Sequence, residues 1–506
     1  MDNFLRSFSL KGRLVICNPR SVSAQIWCGL VLAMVVTGGG LLAAQTVTPG
    51  PGAPAGAGLG LSVPTLDNSQ NPFLGGTPAG QLSPEEIDLS FSDALARALK
   101  CNLGLIVSER GSDQVRAARL KALSDLLPDV NAHVTEEAQQ INLLALGVPL
   151  SFLQGLSPIV GPFSVFDARG TLTEGISLHS VKALQAAREN LVASQHDVRN
   201  ARDLVVLYVG GGYIQALSDQ ARITAIQAQL ATAQSLYQQA VDMKQAGVIA
   251  AIDVLRAQVE MQAQQQRLVA AQNNFAKDKL ALSRAIGLPL GQQFRLTTEA
   301  PYRPNPPITL ELALEQAFRS RADYRAALAQ QRAAELSYRA ATAEYLPSIQ
   351  LYSDYGVLGP EAGHSHGTFT TAATLEIPIF QGGKTRSDAE AAEAVLQQRR
   401  AQAQDTRARV EYEVRASFLD MNSAAQQVEV ARSSMALAAD TLQQARDRFA
   451  AGVTNNIEVI QAQESLALNN ENYIASLLAH NLAKLALARS LGEAEVAVKQ
   501  YLGGTP

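Results

Sequence analysis

From Lys384 to Gly492 the chain runs without a proline, and apolar residues recur along it on one helical face. Val414, Met421, Val428, Met435, Leu442 and Phe449 stand seven apart, and Ala424, Ala431, Ala438 and Ala445 follow the middle four by three residues. A row of large side chains beside a row of alanines predicts a narrow coiled-coil seam, with left-handed supercoil and close helix approach. The row stops at Phe449-Ala-Ala-Gly452-Val-Thr-Asn-Asn456, a tight turn into a shorter helix that ends at Ser-Leu-Gly492. The same series stands 205 residues earlier, where Val209, Ala216, Ile223, Leu230 and Tyr237 precede Ala246-Gly247-Val248 and Ala-Ile-Gly287 answers the later end. The chain is therefore an internal duplication.

Each half opens with a further helical stretch, Ser92–Leu126 and Leu310–Leu346, with breaks expected at Asn102-Leu-Gly104 and near Ser320-Arg-Ala-Asp323. Pro128 and Pro347 end these stretches. After each proline the period changes to two. Val130, Ala132 and Val134 alternate with polar neighbours, as do Phe166, Ala168 and Leu172. In the second half Ile349, Leu351, Tyr355 and Val357, then Phe369, Ala373, Leu375 and Ile377, do the same. Four strands are expected, at about 129–140, 165–178, 348–358 and 368–380. Such a sheet could pack on a helix in a soluble protein, but apolar-out, polar-in alternation over about ten residues is also what a lipid-facing barrel strand needs.

Lengths separate these alternatives. Ser180–Ala246 and Lys384–Ala450 each span 67 residues, about 100 Å at 1.5 Å per residue. In each half the two shorter helical stretches, laid end to end, match one such rod. Four strands cannot close a membrane barrel, since the smallest have about eight. The chain must oligomerise, and three copies would supply twelve strands over twelve rods.

Residues 1–45 have the pattern of a secretory signal: Arg6, Lys11, Arg13 and Arg20 precede an apolar run from Ile26 to Val36, then Leu42-Ala-Ala44. An uncleaved anchor is the alternative. Residues 46–88 are rich in proline and glycine without an apolar period, which predicts a mobile lead-in. With Cys17 and Cys28 in the signal, Cys101 has no disulfide partner in the mature chain. A formal net charge of −4 gives no basic footprint, so nucleic acid is not an expected partner. Aromatic residues at 5% favour extended helices over a thick globular core.

Over residues 89–492 the chain resembles the TolC-type outer membrane efflux proteins. The resemblance rests on the duplication, with repeats at 89–300 and 301–492 and a tail at 493–506, and on four local motifs. These are Ile377-Pro-Ile-Phe-Gln-Gly-Gly-Lys384 before the second long helix, the turns Gly247-Val-Ile-Ala-Ala-Ile-Asp253-Val-Leu and Gly452-Val-Thr-Asn-Asn-Ile-Glu458-Val-Ile, and the paired Ile-Gly-Leu-Pro289 and Ser-Leu-Gly492 ends. It implies a mainly α fold with a membrane β-barrel: a homotrimer whose long hairpins form an α-barrel across the periplasm below a 12-stranded barrel in outer-membrane lipid. It also implies an exit duct of a tripartite efflux pump or type I secretion system, docked to a periplasmic adaptor and an inner-membrane transporter, without cofactor, metal or catalytic residues. The turns Ala246, Gly247, Val248 and Ala451, Gly452, Val453 match the adaptor-docking tip. Asp253, Phe449 and Glu458 match the pore gate, Asp253 bonding a neighbouring helix and Glu458 forming an acidic ring. Phe449, Thr454 and Gln461 depart from the best-known gate, where Tyr, Arg and an acid can stand. On the strands, Phe166, Leu172, Phe369 and Leu375 are the lipid-facing candidates.

Other features carry less. His364 and His366 in Gly363-His-Ser-His-Gly367 could touch a metal, but two ligands do not make a site. Gly210-Gly-Gly212 inside the first long helix implies close packing or a bend. The apolar connection 141–163 holds 14 residues that the second half lacks, and either extends the barrel or folds into its mouth. The six histidines fall in no triad or zinc spacing, which argues against a hydrolase. A periplasmic coiled-coil tether or adaptor without a pore is the remaining alternative, and the amphipathic strands speak against it.

Overall fold

A computed structural model describes residues 71–147, 157–298, 302–305, 307–454 and 456–496. The expected signal peptide, most of the lead-in and the last ten residues lie outside these. The first repeat runs β1 (Ile87–Leu89), α1 (Phe91–Cys101), α2 (Leu103–Ser124), β2 (Asp129–Asn142), β3 (Ile159–Ile176), α3 (Leu178–Gln245), α4 (Ala251–Ala285) and β4 (Phe294–Leu296). The second runs α5 (Leu310–Ser320), α6 (Ala322–Ala343), β5 (Ser348–Gly359), β6 (His366–Glu376), α7 (Lys384–Ala450) and α8 (Asn456–Ser490). In both repeats short helices of 11, 22 and 35 residues accompany one long helix, of 68 residues in α3 and 67 in α7.

The short helices meet end to end. In the first repeat Asn102, fully buried, caps α2 by accepting from the Gly104 N–H at 3.0 Å. Its amide donates to Ala285 O at the end of α4, at 3.2 Å, and to Phe73 O at 2.7 Å. In the second repeat the Ser320 hydroxyl donates to Leu491 O, and Gly492 lies against the Arg321 backbone. Gly492 has φ 74°, and a Cβ there would fall 2.7 Å from Arg321 N. Positive φ and the close approach together require glycine.

The lead-in is corrected from Asn71 onward. Pro72–Leu74 form a 3-10 turn, Phe73 stacks on Tyr208 at 5.9 Å, and β1 pairs in parallel with β4. Three-residue strands carry too short a pattern for periodicity to detect. Their side chains join Phe91, Val205, Val209, Tyr213 and Leu485 in the larger core cluster. Gly210 meets this core through close packing, since a Cβ there would stand 3.1 Å from Leu485, and α3 continues unbroken.

The seam of α7 is as expected at Val414, Met421, Val428, Leu442 and Phe449, all buried, with Met435 half-buried. In α3 the expected row is corrected beyond Ala216: Gln229, Ala233, Leu236 and Ala240 are buried, while Ile223, Leu230 and Tyr237 are half-buried. The buried face turns because the neighbours change along the helix. Near Val209 it meets α1 and β1, and nearer the turn Leu236 joins Phe449 and Val459 while Ala240 joins Val254 and Ala257.

The larger sheet has the order β2-β3-β5-β6, antiparallel throughout. β3 starts six residues earlier than expected, and pairs Ile141↔Val160 and Asn142↔Ile159 beyond an irregularity at Gln139/Ile141. The extra residues of the first repeat therefore lengthen its hairpin; 148–156 lie outside the described residues.

Candidate functional site: helix turns and strand faces

Both helix turns close in the same way. After α3, Gly247 at φ 76° donates to Lys244 O at 2.9 Å and Val248 to Met243 O at 2.9 Å. After α7, Gly452 at φ 71° donates to Phe449 O at 3.0 Å and Val453 to Arg448 O at 3.0 Å. Paired bonds of this kind satisfy the last carbonyls of a helix and need a left-handed residue, hence glycine. Ala246, Gly247, Val248, Ala451, Gly452 and Val453 are all exposed, with Val248 at 64% and Val453 at 70%.

Among the gate candidates, Phe449 is 4% exposed and packs with Leu236 of α3, Leu442 and Ala445 of α7, and Val459 and Ala462 of α8. It therefore ties three helices together near the turn. Glu458, in the first turn of α8, accepts from Arg448 across the turn at 2.9 Å and from the Thr454 hydroxyl. The residue standing where an arginine can occur thus serves the carboxylate as a hydrogen-bond donor, and the cation comes from Arg448. Periodicity could not single out Arg448; only the folded-back turn brings residues ten apart into contact. Asp253 opens α4 and accepts from Arg256 on its own helix at 3.3 Å.

The sheet sorts the strand candidates by register. Pairing Val130↔Leu172, Leu172↔Ser353 and Ser353↔Thr371 fixes one face, and the alternating positions of all four strands follow. That face carries Val130, Ala132, Val134, Phe166, Ala168, Leu172, Ile349, Leu351, Tyr355, Val357, Phe369, Ala373 and Leu375. Phe369 is 76% exposed and Leu375 61%, while Phe166 is half-buried. The opposite face holds Asn131, His133, Thr171, Thr173, Gln350, Thr370 and Thr374. On it Arg169 bridges Asp167 at 2.6 Å and Asp354 at 3.4 Å. The Asp167–Arg169 pairing is legible in the alternation; Asp354 joins it only through strand register. His364 and His366 flank the start of β6, with Glu361 3.6 Å from His364, and no group of three or more metal-binding side chains occurs among the described residues.

The family model described as outer membrane efflux protein matches residues 176–288 and 313–493. The probable efflux pump outer membrane protein TtgC of Pseudomonas putida is 24% identical over 430 residues, which cover 80% of this chain and 83% of the relative. Outer membrane protein OprJ of Pseudomonas aeruginosa is 26% identical over 327 residues, covering 62% and 66%. Among solved structures, the CmeC outer membrane channel of Campylobacter jejuni superposes with a TM-score of 0.72 at 15% identity, over 86% of this chain and 96% of that one. The outer membrane protein VceC of Vibrio cholerae gives 0.69 at 17% identity, over 79% and 96%. The architecture is shared with these channels.

Proposed function

The chain belongs to the outer membrane efflux protein family, and on that premise we propose that it is a passive exit duct, trimeric, with its sheet in the outer membrane and its helix hairpins reaching into the periplasm. The observation that carries this is the strand register, which gathers most of the large apolar residues of the four strands, Val130, Val134, Phe166, Leu172, Ile349, Tyr355, Phe369 and Leu375 among them, on one face and leaves the other mostly polar. A sheet open to water on both sides has no use for such a face; hydrocarbon on one side and a wet lumen on the other require it. β2 and β6 are outermost in the sheet, and open edges of this kind invite pairing with a second copy. Three copies would close twelve strands.

The helix turns are the docking end. Val248 and Val453 present apolar surface there, suited to a periplasmic adaptor that joins the duct to an inner-membrane transporter. Relatives named for efflux pumps favour small-molecule export over polypeptide secretion. Phe449, with Glu458 and Arg448, forms the gate, which closes by packing backed by an ion pair. Purified in detergent, the mature protein is expected to run as a heat-sensitive trimer and to conduct ions in planar bilayers. A water-soluble, non-conducting monomer would instead leave a tether as the function.

A further inference from the structure

Just past the midpoint of α3, where this helix packs against both α4 and α8, four ionisable side chains meet. Arg222 donates from Nε at 2.8 Å and Nη2 at 2.6 Å to Glu471 of α8, and from Nη1 at 2.6 Å to Oδ1 of Asp219, one turn back on its own helix. Gln215 reaches the same Oδ1 at 3.3 Å. Asp219 is 3% exposed, and its Oδ2 is buried without a hydrogen-bond partner. The group beside it is the carboxyl of Asp278 on α4. Two ionised carboxyls are both acceptors, so this contact becomes a hydrogen bond only when one of them carries a proton.

We propose that Asp219 keeps a proton, which its buried carboxyl donates to Asp278, forming a pH-dependent tie between α3 and α4 beside the Arg222 clamp that fastens α3 to α8. α3 and α4 form one hairpin and α8 belongs to the other, so the tie sits where the two hairpins of a single chain meet. With the proton in place, one negative charge on the acid pair and one on Glu471 surround the single Arg222 cation. Without it, the buried Asp219 carboxylate faces the charge of the half-buried Asp278 across the contact. The charged groups facing Asp219 are Arg222 of α3, Asp278 of α4 and, through Arg222, Glu471 of α8.

Burial pushes the Asp219 carboxyl up to about 7, Asp278 adds to the rise, and Arg222 opposes it. The folded value lies above the ordinary 3.8, so the native state holds a proton that the unfolded chain releases. The stability that Asp219 contributes is thus full at acid pH and declines between about pH 4 and pH 7. These contacts lie within one chain and are independent of the duct assignment.

The test is the melting temperature of the full chain carrying Asp203→Asn in detergent, followed from about pH 5 to about pH 8.5, for that chain as the parent and with Asp278→Asn or Asp219→Asn added; Asp203, itself pushed up to about 6, would otherwise give a slope of the same sign. Either asparagine supplies its own N–H across the contact, so Asp219→Asn should lose most of the downward slope that the parent shows, and Asp278→Asn should make it shallower, since the burial of Asp219 remains. An Asp219→Asn chain that keeps the parent's slope would overturn the proton on Asp219. Should neither variant fold, infrared spectra of the chain carrying Asp203→Asn decide. A protonated-carboxyl band at about pH 6 that vanishes by about pH 8.5 supports the proposal, and its absence at about pH 6 overturns it.

Discussion

Arg321 shows at single-residue scale how the second helix joint is held. It is 1% exposed, and its guanidinium donates to both oxygens of Asp323, at 3.0 and 2.6 Å, and to Glu413 of α7 at 2.7 Å. Arg489 of α8 reaches the same Glu413 at 2.7 Å. Burial disfavours the Asp323 charge, yet the Arg321 hydrogen bonds and the two arginine charges outweigh it and hold the carboxyl below its ordinary value of 3.8. Its contribution is present above that value and is lost as pH falls through the lower folded one. Asp203 has the opposite sign: burial pushes it up to about 6, with Arg489 opposing, so its contribution declines as pH rises between about 4 and 6. Arg321→Met leaves two half-buried acids with only Arg489, and should cost about 3 kcal/mol in thermal or denaturant unfolding. Arg319→Met, which breaks an exposed pair with Glu315, should cost little or nothing. Equal losses would show that the joint does not depend on its buried arginine. Gly492→Ala should also lower the melting temperature, by the equivalent of about 1–3 kcal/mol, from the positive φ alone.

At the scale of elements, the sheet makes the sharpest comparison. Leu172 and Leu375 share the apolar face, and Thr171 and Thr374 the polar one. Asp at either leucine should impair trimer assembly, because an acid facing hydrocarbon is costly, whereas Asp at either threonine faces the hydrated side and should be tolerated. Heat-modifiable migration on gels reads assembly directly, and equal effects from the two sets would remove the membrane assignment. The two hairpins are unequal in length for a reason visible in their registers: β2 and β3 pair as far as Asn142↔Ile159, while β5 and β6 stop at Leu358↔His366. The additional residues of the first repeat lengthen this strand pairing and leave the helix joints in matching positions.

For the whole molecule, the gate is tested by single-channel recording of the assembled trimer. Glu458→Gln should lower cation preference, since a ring of carboxylates attracts cations. Arg448→Gln should raise it, because the cation 2.9 Å from Glu458 is gone while the carboxylate remains. Phe449→Ala should increase conductance, as truncating a packed phenylalanine costs about 3–5 kcal/mol where helices from both hairpins meet. If ion preference and conductance stayed at parental values in all three, the constriction would lie elsewhere along the tube.

The sequence determined what is periodic and local. The sevenfold row of α7, the breaks at Asn102 and Arg321, the turn glycines 247 and 452, and the two faces of each strand all follow from spacing, because a helix or strand repeats its own geometry at every turn or pleat. Tertiary structure decided what depends on neighbours distant in the chain. It turned the buried face of α3 beyond Ala216, since packing partners and not period set which side is covered. It recruited Phe73, β1 and β4 into the core, where pairing supplies what three residues of pattern cannot signal. It also brought Arg448 to Glu458, Arg169 to Asp354 and Asp219 to Asp278, because charges interact across space and leave no period in the sequence.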